Sequence, residues 1–161
     1  MNSCSFIGRT SIVFEIVLLC FFNEFNMLYK ISFSFAIKSM LFLLSAVIIF
    51  HVLVLLHFIP INIVWGGRFK DFETLKKFET LSLLINALML FVILVKGSVL
   101  KINVPALLIG FFLWLMVALF SLNTLGNLLA ESSTEAIIFT PITFVSAIFC
   151  LRIVLNENRK L

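Results

Sequence analysis

Pro60–Asn86, PINIVWGGRFKDFETLKKFETLSLLIN, is the stretch on which the fold turns. It joins two long apolar runs and contains a turn, a helix start and a carboxylate close to the lipid. Trp65-Gly66-Gly67-Arg68 reads as a turn with an interfacial aromatic anchor. Asp71 suits the N-cap of a helix that begins outside the lipid and continues into it, because its carboxylate can accept a free first-turn amide. Phe72-Glu-Thr-Leu75 recurs as Phe78-Glu-Thr-Leu81, but a six-residue repeat is not a structural period.

Outward from this stretch, apolar runs of membrane length follow one another. Before it, about Lys38 to Ile59 is interrupted only by Ser45, His51 and His57, and stops at Pro60. After it, Phe78–Val95 is closed by Lys96-Gly97, a cationic last turn followed by a helix-ending glycine. Val104–Leu122 is entered through Pro105, tolerated in a first turn. Ala136–Leu155 follows Ser132-Ser-Thr-Glu135, the pattern of a capping box. With their polar flanks, helices are expected over about 38–59, 72–96, 104–123 and 133–155. At about 1.5 Å per residue each covers roughly 30 Å, a bilayer's hydrocarbon core. The runs are continuous rather than alternating, which excludes a β-barrel. The expected fold is all-α: an integral membrane, antiparallel four-transmembrane-helix bundle with short loops, built from residues 39–161.

Composition demands the same class. Of 161 residues, 62% are hydrophobic and 12% charged, and the mean hydropathy is +1.20. A soluble chain this small has too little interior to hide that much apolar surface. The net charge of +4 does not indicate nucleic acid, because Lys and Arg sit at the ends of apolar runs rather than in a basic patch. Cys4, Cys20 and Cys150 form no close pair and read as small apolar residues. No cofactor is expected.

Residues 1–38 are expected to be an N-terminal segment outside the bundle and poorly ordered. Ser11–Phe22 is apolar but too short to span, and no small-residue cleavage pattern follows it. Met27-Leu-Tyr-Lys30 reads as an alternative start, so residues 1–26 are either a mistaken upstream start or an interfacial segment. With the N-terminus cytoplasmic, that side holds eight Lys and Arg against four (Arg68, Lys70, Lys76, Lys77), which predicts both termini inside a bacterial inner membrane.

That topology gathers polar side chains in the outer half. Glu79, Ser82 and Asn86 share one stripe of the second helix, and Asn123 and Asn127 are i, i+4 neighbours on the third. Thr140, Thr143, Ala147 and Cys150 make a small-residue stripe on the fourth. Unpartnered polar groups in lipid are costly, so these stripes should face inward. The expected site is an outward-facing polar pocket lined by Glu79, Asn86, Asn123 and Asn127, with His57 and Arg68 at its rim. The alternative is that these groups only bond neighbouring helices, with Glu79 in a surface ion pair with Lys76. His51, mid-helix, is expected to bond a neighbouring helix. His51 and His57 lie on different faces and form no metal pair. Arg152 is expected to snorkel to the headgroups.

Trp65-Gly-Gly-Arg68, Phe78-Glu79, Asn86, Asn123-Thr-Leu-Gly-Asn127 and Thr140-Pro141 together resemble a group of small bacterial four-helix membrane proteins. The resemblance covers about residues 40–155 and implies the class without an activity. Function is therefore expected to be binding or accessory, with a lipid or small molecule as ligand, or a homo-oligomer or larger membrane partner. A small oligomeric transporter is the alternative. An enzyme is least expected, as no nucleophile stands beside a base.

Overall fold

The computed structural model describes residues 28–60, 64–65, 71–129 and 135–156. The chain divides into two units, 1–32 and 33–161. Within the first, the described residues hold a single helical turn, closed by the Ile31 amide donating to the Leu28 carbonyl. The second contains α1 (Phe33–Leu55), α2 (Phe72–Lys96), α3 (Ala106–Leu128) and α4 (Thr140–Leu155), the last preceded by a π-turn at Glu135–Phe139. No strand occurs among the described residues.

All four helices, counting α4 from Ile137, are long and apolar enough to cross a membrane. Only 17–28% of each span is buried inside the protein. Large apolar side chains such as Leu107, Phe42 and Ile137 stand outward. Such surface is stable only in lipid, so a multi-pass membrane protein is the class that the helices fit.

Several ends differ from the sequence expectation, each for a local reason. Helix α1 starts at Phe33, five residues early, because Ser34 and Lys38 can be exposed at an outer face while Ala36, Ile37 and Met40 are buried. It stops at Leu55, short of Pro60. His57 takes the left-handed conformation (φ 61°); its amide donates to Val54 O and that of Phe58 to Leu53 O, a Schellman closure. Helix α3 runs on to Leu128 through Gly126 and Asn127, residues whose type alone suggests an end. Pro105 is its N-cap rather than part of its first turn. Helix α4 does not run regularly from 133. Pro141 has no amide to donate, and a wider π-turn precedes it. Of the expected capping box, residues 132–134 lie outside the described residues.

Gly97 corrects the expectation most instructively. Its φ is −76°, whereas Ser98 holds the left-handed position at φ 58°. The Ser98 and Val99 amides close that end onto Val95 O and Leu94 O. The glycine serves packing instead. A Cβ on Gly97 would lie 2.8 Å from Ile37 Cγ2, so its absence lets α1 and α2 approach.

Helix α3 packs most extensively on α4, and α1 on α2; α1 also packs along α4, whereas α2 and α3 touch less. Phe35 of α1 meets Phe149 of α4 edge-on, ring centroids 5.8 Å apart. Lipid is as apolar as leucine, so fit and hydrogen bonds hold these helices together rather than burial from water.

Candidate functional site

Asp71 sets the register of α2. Its backbone is extended (φ −122°, ψ 146°) and its side chain accepts the Thr74 amide at 2.7 Å. That backbone donor, with smaller help from Lys77, holds the carboxyl below its usual pKa. Beneath the cap, Leu75 is buried with Val54 and Val64 in an apolar plug, flanked by Phe50, Ile59 and Phe72.

Glu79 lies one turn beyond Leu75, on the same buried face, and is 1% exposed. His51 Nδ1 meets its Oε2 at 2.5 Å, and Trp65 Nε1 donates to its Oε1 at 2.8 Å. Both carboxylate oxygens are therefore engaged. Trp65 is positioned by a left-handed backbone (φ 54°) and by edge contact with Phe78. The surface ion pair with Lys76 is thus replaced by a buried acid–base pair. A lone buried charge is costly; a basic ring and a carboxyl held within hydrogen-bond distance offset part of that cost.

The second polar group lies between α3 and α4. Thr143 Oγ1 is its hub: it lies within bonding distance of the Phe139 and Thr140 carbonyls, of Thr124 Oγ1 at 3.0 Å and of Asn127 Nδ2 at 3.5 Å. Thr124 also donates to Phe120 O in its own helix. Thr140 Oγ1 is buried without a hydrogen-bond partner among the described residues.

The expected pocket residues therefore fall in separate places. Glu79 joins His51 and Trp65. Asn86, half-buried, donates to Ser82 O within α2. Asn127 joins the threonines, and Asn123 is exposed. His57 is exposed and stacks on Phe72, ring centroids 3.7 Å apart. Arg68 lies outside the described residues. Arg152 does not stand out toward the headgroups; it is 7% exposed and donates to Asn156 Oδ1 at 3.4 Å.

The joining of His51 to Glu79 was not read from the sequence. His51 and Glu79 each stand out in the sequence as ionisable groups in or beside an apolar run, but residue order carries no signal that pairs them across 28 positions. Among the described residues, no three His, Cys, Asp or Glu side chains gather as metal ligands would. No protein-family model, curated protein or solved structure matches the chain.

Proposed function

We propose that this is a multi-pass membrane protein of binding or accessory type, and that its working site is the His51–Glu79–Trp65 cluster. In this reading the four spans form an antiparallel bundle with short connections and with both termini on the cytoplasmic side of a bacterial inner membrane. Two contacts support the antiparallel hairpin. His51, near the end of α1, meets Glu79, near the start of α2; Ile37, near the start of α1, meets Gly97 just past the end of α2.

The observation that carries the reading is Glu79 itself, buried within a membrane-length helix with both oxygens engaged. Buried ionisable groups in spans are costly to keep and are functional candidates by default. Trp65 is partly exposed, so its Nε1 is the partner on Oε1 that a ligand entering from outside would displace. A ligand bearing N–H or O–H donors, or a positive charge, would take its place on Oε1. The pairing of a basic ring with an acid also supports a second reading, proton-coupled transport by an oligomer. Enzymatic activity has the least support, because no nucleophile accompanies the pair among the described residues.

Native mass spectrometry in mild detergent tests the first reading, comparing wild type with Glu79→Gln and Asn86→Leu. A discrete adduct lost in Glu79→Gln and kept in Asn86→Leu supports the cluster as the binding site. An adduct unaffected by Glu79→Gln sinks it. Pyranine-loaded vesicles test the second reading: proton flux present in wild type and absent in Glu79→Gln would favour transport.

A further inference from the structure

On the face of α2 turned away from the bundle, Glu73, Lys76, Lys77, Thr80, Leu81 and Leu84 line an open groove of about 430 Å³. We propose that this groove binds the headgroup and upper chain of a phospholipid carrying a primary amine, an ethanolamine phospholipid.

Depth comes first. Lys77 and Lys96 stand 19 residues apart on one helix, about 28 Å at 1.5 Å per residue, close to the ~30 Å hydrocarbon thickness. Lys76 and Lys77 therefore mark the phosphate level, with Leu81 and Leu84 beneath them among the first methylenes and Glu73 a turn above, in the headgroup layer.

Charge order comes second. From outside inward the groove reads acidic, basic, basic, apolar. An ethanolamine phospholipid read the same way is ammonium, phosphate, acyl chain, so each layer meets its complement. Glu73 and Lys76 form no ion pair with each other or with any other described residue. The Thr80 hydroxyl is turned onto Lys76 O, which leaves the floor of the groove apolar. A choline headgroup offers Glu73 no N–H to donate, and a glycerol headgroup offers it no charge.

The test uses the full chain in mild detergent with an equimolar mixture of phosphatidylethanolamine, phosphatidylcholine and phosphatidylglycerol of identical chains, read by native mass spectrometry. The ethanolamine adduct is expected to exceed the choline adduct severalfold. Glu73→Gln should bring the two level, Glu73→Lys should shift preference to phosphatidylglycerol, and Lys76→Gln/Lys77→Gln should deplete all three. Lys101→Gln, an exposed base beyond the far end of α2, should leave the profile unchanged. Equal adducts in wild type, a wild-type preference for phosphatidylglycerol, or an ethanolamine preference that survives Glu73→Gln would each overturn the proposal. Glu73, Lys76 and Lys77 are exposed, so the variants are expected to fold, and circular dichroism melts are to be run beside the adduct measurement to check it.

Discussion

His51 Nδ1 and Glu79 Oε2 stand 2.5 Å apart across the α1–α2 interface, although 28 residues separate them in the chain. Removing one partner leaves the other polar and buried, which costs more than the bond itself contributes. Glu79→Ala should therefore destabilise the protein by about 3 kcal/mol, and His51→Ala by roughly as much. The double variant His51→Ala/Glu79→Ala should lose less than the sum of the two single losses, by a coupling energy of about 1–3 kcal/mol. Steric-trapping or SDS-unfolding equilibria of the four proteins measure it. Additive losses would show that the pair is not coupled.

Gly97 and Ile37 make a second, purely steric prediction. Gly97→Ala places a methyl 2.8 Å from Ile37 Cγ2 and 3.1 Å from Ile93 O. The side chain can give way but the backbone oxygen cannot, so a loss of about 1–3 kcal/mol is expected, in the range of overpacking. In an Ile37→Ala background, which lacks that Cγ2, Gly97→Ala should cost less than it does in wild type. Gly126→Ala is the contrast: nothing lies within 4 Å, and alanine in an α-helix should be neutral or stabilising by up to ~1 kcal/mol. Both are read from the same unfolding equilibria.

These glycines also show how far the sequence can be read. Continuous apolar runs bounded by Lys, Pro and Asp made the four helices legible, because lipid thickness and capping chemistry act locally. Gly97 after Lys96 looked like a helix terminator, yet its φ is ordinary and Ser98 adopts the left-handed turn. What fixes Gly97 is a neighbour on α1, which residue order does not display. The same holds for the candidate site. Glu79, His51 and Asn86 each stood out as polar groups in lipid, but which one faces which depends on helix rotation and register. Periodicity placed Asn123 and Asn127 near one another, while a rotation of one helix decides that Asn127 reaches Thr143 and Asn123 stays exposed.

Thr143 joins α3 to α4 through a hydroxyl shared among several partners. Thr143→Val keeps the shape and removes the hub, stranding Thr124 and Asn127 together. Interhelical hydrogen bonds in membranes average about 0.6 kcal/mol and reach about 1.7; the hub should fall near the upper figure. Thr124→Val should cost less, because half of its bonding is to Phe120 O within its own helix. Equal losses for the two would remove Thr143 from its place at the centre.

Asp71 gives the pH dependence. Its carboxyl accepts the Thr74 amide and is held below its usual pKa, so the folded state binds its proton less readily than the unfolded state does. That makes the cap's contribution fully present above the ordinary carboxylate range, about pH 4, and lost as pH falls through the lower folded value. Asp71→Ala should therefore lower the melting temperature at pH 7, with the gap from wild type closing as pH falls below about 4. Asp71→Asn retains an acceptor without a titrating charge, so its cap should persist through the same acid range. Thermal melts of the three proteins between pH 3 and 7 check this, and a gap independent of pH would show that the cap does not depend on the charged carboxylate.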